Sequence, residues 1–140
     1  AVEGSNNIPF IPAPKLLTEL RADIKKLNKF FQNFYARLEM ENSFTQKNIF
    51  SAFNTETKTP GYTLLHAGIG TDYRSKKGRT LFSVNIAANN IANKAYQTHL
   101  SRLKYGAENL ATGRTGVYNM GANYSFKLLI PLEFSFVEKK

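Results

Sequence analysis

Val117-Tyr118-Asn119-Met120-Gly121-Ala122-Asn123-Tyr124-Ser125-Phe126-Lys127-Leu128-Leu129-Ile130 is the stretch whose period fixes the fold class. Tyr118, Met120, Ala122, Tyr124, Phe126, Leu128 and Ile130 fall on alternate positions, with Val117, Asn119, Gly121, Asn123, Ser125, Lys127 and Leu129 between them. A two-residue period belongs to a strand whose two faces meet different surroundings. Pro131 has no N–H to give a ladder, so the strand is expected to stop there.

The same period recurs upstream. Phe82, Val84, Ile86 and Ala88 oppose Leu81, Ser83, Asn85 and Ala87 across Thr80 to Ala88. In Tyr62 to Asp72, Leu65, Ala67 and Ile69 oppose Leu64, His66, Gly68 and Gly70, the small residues suiting a crowded face or a bend. Phe30, Phe34, Ala36, Leu38 and Met40 alternate with Phe31, Asn33, Tyr35, Arg37 and Glu39. Leu16 to Phe31 fits two periods. In twos, Leu16, Thr18, Leu20, Ala22 and Ile24 face away from Glu19, Arg21, Asp23 and Lys25. In threes and fours, Leu16, Leu17, Leu20, Ile24, Leu27 and Phe31 form a helical stripe, and propensity leans towards that helix.

Between these segments, short basic turns alternate with long polar loops at 42–60 and 89–116, while Pro9, Pro12 and Pro14 keep 1–14 irregular. The reading is a single all-β unit over residues 1–140, an antiparallel up-and-down sheet of about five strands. A soluble meander has no reason to lengthen every second connection. Outer-membrane barrels do so as a rule, with short periplasmic turns and long external loops.

Composition narrows the chemistry. The 11 Phe and 7 Tyr favour strands, and the absence of Cys excludes disulfides, thiolate nucleophiles and sulfur metal sites. No run approaches the ~18 apolar residues of a membrane helix, which leaves strand-type spans untouched. The net charge of +9 concentrates at Lys25-Lys26-Leu27-Asn28-Lys29 and Arg74-Ser75-Lys76-Lys77-Gly78-Arg79, where short connections are expected. Ala1-Val2-Glu3-Gly4-Ser5 carries no initiating Met and no basic-plus-apolar leader, so a piece of a longer protein is expected.

Four blocks carry a resemblance. They are Asn-Ile-Pro-Phe-Ile-Pro-Ala-Pro at 7–14, Thr-Pro-Gly-Tyr-Thr-Leu-Leu at 59–65, Asn-Asn-Ile-Ala-Asn-Lys-Ala-Tyr at 89–96 and Gly-Arg-Thr-Gly-Val-Tyr-Asn-Met-Gly at 113–121. In order and spacing they resemble the closing strands of TonB-dependent outer-membrane receptors. The third block is similar to the element that ends the family's penultimate strand. The resemblance implies a partial segment of a large transmembrane barrel of about 22 strands closed around a plug. It implies a place in the bacterial outer membrane and import of a scarce ligand such as a ferric siderophore, haem, cobalamin or glycan. The implied partners are outer-membrane lipid, the barrel-assembly machinery, the imported ligand, and the TonB complex through an N-terminal region outside this chain; nucleic acid is not among them. Gly121, Tyr124 and Phe126 resemble the C-terminal signal read by the assembly machinery. Met120 departs from the family's usual polar residue, and Phe136-Val137-Glu138-Lys139-Lys140 departs from its aromatic ending.

Arg102, Lys104, Tyr105 and Arg114, in the loop at 97–116, are the expected external ligand contacts, since Arg and Tyr suit anionic, catechol-bearing or glycan ligands. His66 and His99 are far apart, and His66 is expected in a polar lumen or a strand interface rather than on a metal. Gly68-Ile69-Gly70 lacks the third glycine and the helix of a phosphate-binding turn. The Glu39/Glu41 and Asp23/Glu19 pairs have only strand spacing, and no Ser or Thr has a plausible base. No enzyme activity, cofactor or metal is expected. The alternative is a soluble basic sheet binding nucleic acid or another polyanion, with aromatics beside Lys and Arg on one face. Five strands cannot close a transporter barrel, so an isolated chain could rearrange, with 16–31 turning helical.

Overall fold

The computed structural model describes residues 7–50, 52 and 56–132. Within them the chain is all-β, with no α-helix. Four long strands come first: β1 (Lys15–Lys26), β2 (Phe31–Ser43), β3 (Tyr62–Arg74) and β4 (Thr80–Asn89). Two short ones, β5 (Glu108–Asn109) and β6 (Arg114–Thr115), precede β7 (Asn123–Leu129). The main sheet is antiparallel in the order β1-β2-β3-β4-β7, each strand beside its predecessor, and β5 pairs β6 in a separate hairpin. β1 and β7 end the sheet without pairing each other, so it is open, as a barrel segment would be. Residues 1–6 and the ending Phe136–Lys140 lie outside the described residues.

The basic clusters sit at tight turns. Asn28 Oδ1 accepts from the Phe30 and Phe31 N–H groups at 2.8 Å each, folding 27–30 into an Asx-type reversal. At 75–79, Gly78 adopts φ +81 and its N–H donates to the Ser75 carbonyl at 2.9 Å. The Lys and Arg of the two clusters occupy these turns and the strand ends beside them.

The helical option for Leu16–Phe31 fails, since Lys15–Lys26 is strand. Helix propensity amounts to tenths of a kcal/mol per residue, less than a continuous ladder along β2 supplies. Only the two-residue period also sets Arg21 and Glu19 on the face of Tyr35 and Arg37. The Arg21 guanidinium lies 4.6 Å from the Tyr35 ring centre, and Arg37 lies 3.8 Å from Glu19.

The alternating run at 117–130 is strand only from Asn123. Val117, Asn119 and Ala122 give their N–H groups to the loop instead: to the Leu103 carbonyl at 2.9 Å, the Tyr96 carbonyl at 2.9 Å and Asn93 Oδ1 at 3.0 Å. Loop partners replace the ladder. A Cβ on Gly121 would collide with Asn93 Oδ1, so this close approach requires glycine.

Contacts divide the chain into two compact units. One holds residues up to Thr18, Glu39–His66 and Asn89–Asn123, and with them the long connections. The other holds Glu19–Leu38, Ala67–Ala88 and residues from Tyr124, and with them the tight turns.

In the second unit the β3–β4 register pairs Ala67 with Ala88, Ile69 with Ile86, Thr71 with Val84 and Tyr73 with Phe82. Directly opposed residues share a face, so this face is apolar. Tyr73 stacks on Phe82 at 5.0 Å and on Phe30 at 6.0 Å, and meets Phe31 edge-on at 5.4 Å. The other face is polar. Asp72 accepts from Asn33 and Ser83 at 2.6 Å each, and the Tyr35 hydroxyl donates to Asn85 at 3.0 Å. Gly68 lies beneath Arg37 and Gly70 against Tyr35 and Asn85, so the expected crowding of that face is found.

Tyr62 and Leu64 are the only buried apolar side chains among the described residues. Leu20 is 75% exposed, Tyr124 71% and Phe126 67%.

Candidate functional site

The long connections build the most elaborate polar structure of the chain, entirely within the first unit. Asn90, in a left-handed conformation at φ 50, is its pivot. Its side chain accepts from the Lys94 N–H at 2.8 Å and donates to the Lys94 and Met120 carbonyls at 2.9 and 3.3 Å. Asn93, also at φ 50, receives the Ala122 N–H. Asn tolerates this backbone region better than other side-chain-bearing residues. The block at 89–96 is therefore a clamp that fixes where β7 begins.

Beyond the clamp, Arg102–Tyr105 forms a single 3-10 turn. Gly116 packs against the Lys104 carbonyl at φ +72, a place and a conformation that a side chain would disturb. The β5–β6 hairpin projects from here. Asn109 Oδ1 accepts from Ala111 and Thr112 at 3.0 and 3.2 Å, closing the turn, and Leu110 at its tip is 97% exposed. Gln97 ties the hairpin base by donating to the Thr115 and Val117 carbonyls at 3.0 and 3.3 Å.

The four expected contact residues take different places. Lys104 is buried, and its ammonium donates to Thr59 Oγ1 at 2.9 Å and to the Thr57 carbonyl at 3.3 Å. It pins the loop at 44–61 to the loop at 90–122. Tyr105 stays partly exposed while its hydroxyl accepts the Thr57 N–H at 3.2 Å. Arg102 is exposed and shares a cavity with Tyr105. Arg114 lies on β6, its guanidinium 5.2 Å from the Tyr118 ring centre. Tyr124 and Phe126 stand exposed on β7 at the sheet's end, whereas Gly121 belongs to the clamp.

The residue the composition-level reading undervalued is His99. It is buried, with Nδ1 2.8 Å from Thr59 Oγ1. An ammonium only donates, so the Thr59 oxygen accepts from Lys104 and has one proton to give. The same hydroxyl meets His99 Nδ1 at 2.8 Å and the Thr57 carbonyl at 3.4 Å. Lys104, Thr59 and His99 thus form a hydrogen-bonded relay between the two loops. Burial first, and the Lys104 charge second, hold His99 below the ordinary histidine range, against an opposing pull from Glu56. Nε2 is enclosed and has no partner among the described residues. Glu56 is also buried and accepts from the Phe10 N–H and from the Phe50 N–H, the latter at 2.7 Å.

His66 lies on β3 with Nδ1 3.3 Å from Asn89 Oδ1, in the strand-interface setting expected of it. Among the described residues no group of three or more His, Asp or Glu is placed to hold a metal. Nor is any helix of the described residues long and apolar enough to cross a membrane, which does not bear on strands. No family model, curated protein or solved structure matches the chain.

Proposed function

We propose that the chain is a wall segment of an outer-membrane transporter of the TonB-dependent receptor type, its tight turns on the periplasmic side and its long loops outside. The observation that carries this reading is the division of the sheet into an exposed apolar face and a hydrogen-bonded polar one, with almost no apolar side chain buried between elements. In water such a face has no partner; in a bilayer the acyl chains cover it while the polar face lines the lumen. The Phe30, Phe31, Tyr73 and Phe82 cluster beside the tight turns matches the aromatic girdle such barrels carry at an interface. Strands of 12, 13, 13 and 10 residues meet the ~9–11 a tilted span needs.

The polyanion reading draws less support. On the polar face Arg21 is paired with Asp23 at 2.9 Å, Arg37 with Glu19, and Lys15 with Glu41 at 2.6 Å, so the aromatic-rich sheet is not a field of open cations.

The chain's lack of cysteine makes the test direct. Single substitutions Ile86→Cys and Phe82→Cys are expected to react with a lipid-soluble probe in reconstituted vesicles, and Ser83→Cys and Asn85→Cys with a water-soluble maleimide. Equal reactivity of both sets towards the water-soluble reagent would refute a membrane wall.

A further inference from the structure

A cavity of about 330 Å³ opens among the long connections, lined by Phe10, Glu56, His99, Leu100, Arg102 and Tyr105. We propose that it binds a neutral, hydroxyl-rich ring, a pyranose unit of a glycan, from solution.

The mixture of groups selects this chemistry. Phe10, Leu100 and Tyr105 are each about half exposed and offer apolar surface for the C–H face of a sugar ring. Arg102 presents several N–H donors in a fixed plane, which suits adjacent hydroxyls. Glu56 supplies carboxylate oxygens that can accept more than the two backbone N–H bonds they hold among the described residues. A hydroxyl both donates and accepts, so it serves Arg102 and Glu56 at once.

Charged ligands fit less well. A carboxylate, phosphate or ionised catechol would meet the buried Glu56 carboxylate, and a cation would meet Arg102 with Lys104 behind it. The relay from Lys104 through Thr59 adds a further reason. It holds His99 by Nδ1, and the enclosed Nε2 has no hydrogen-bond partner among the described residues. An unmet buried polar atom is costly, and a small shift that lets a ligand hydroxyl, acceptor and donor at once, approach it would favour binding.

That the cavity faces the cell exterior rests on the transporter reading; that it takes a sugar does not. The full gene product, purified in detergent, would be tested with methyl glucopyranoside and a short neutral oligosaccharide by saturation-transfer NMR. Ring C–H protons are expected to receive saturation, and the oligosaccharide to bind about tenfold more weakly to both Arg102→Ala and Leu100→Ser. Arg102 and Leu100 are exposed, so both variants are expected to fold, as near-native circular dichroism would show. Glucuronate is expected to bind less well than the neutral sugar. Absence of saturation, unchanged binding in both variants, or a preference for glucuronate would overturn the proposal. Sugar binding with uniform cysteine reactivity would instead sink the transporter reading alone.

Discussion

His99 shows how a single side chain ties loop stability to pH. Its folded value lies below the ordinary 6.5, so near neutrality both folded and unfolded forms are uncharged and stability does not depend on this group. As pH falls below 6.5 the unfolded loop takes up a proton that the folded one resists, and stability declines until folded His99 itself protonates. Lys104 and Glu56 act directly on it, and Lys15 and Tyr62 line a neighbouring cavity with it. Protection of the 97–106 amides, after division by the intrinsic exchange rate at each pH, is expected to fall between neutral and mildly acid pH, and His99→Asn to flatten that profile while His66→Asn leaves it intact. An identical profile in His99→Asn would remove the relay from the account. Asn90→Ala strips three hydrogen bonds from the clamp and is expected to destabilise it by about 1–3 kcal/mol, read as earlier thermal release of the loop. Sequence marked 89–96 as distinctive but could not say why, because Met120 and Ala122, the residues Asn90 and Asn93 hold at the start of β7, lie about thirty positions on. Lys104 was legible as a loop cation, but not as a buried one. Its acceptors, Thr57 and Thr59, belong to another loop.

The elements were easier to read than the loops. Alternation located β2, β3 and β4 because each has one polar and one apolar face, and the register of β3 against β4 keeps those faces whole. It was undecided in one place and reached too far in another. In β1 two periods coexist, and only the pairing of Arg21 and Glu19 with groups on β2 decides between them. In 117–122 the period is correct but the backbone finds loop acceptors, which no local pattern announces. The two faces of β7 give a test at this scale. Phe126→Lys is expected to lower barrel stability by about 2–4 kcal/mol if its site lies near the bilayer midplane, while Ser125→Lys on the opposite face stays near neutral. Urea titration of the reconstituted protein would compare them, and equal penalties would mean that the strand does not separate lipid from water.

For the molecule as a whole, the deciding quantity is how little the described chain buries. With Tyr62 and Leu64 as its only buried apolar side chains, the sheet has no interior core to stabilise it in water. The free edges of β1 and β7 add unpaired backbone groups. In detergent-free buffer the chain is expected to associate, and in micelles to disperse as a β-rich species. Sedimentation with far-ultraviolet dichroism would check this, and a monomer that unfolds cooperatively without amphiphile would contradict it. The turn between β5 and β6 carries a practical corollary. Its closing bonds come from Asn109 and it leaves Leu110 wholly in solvent, so a short peptide epitope spliced after Leu110 should disturb neither clamp nor sheet. Antibody staining of intact cells would then tell which compartment that tip occupies.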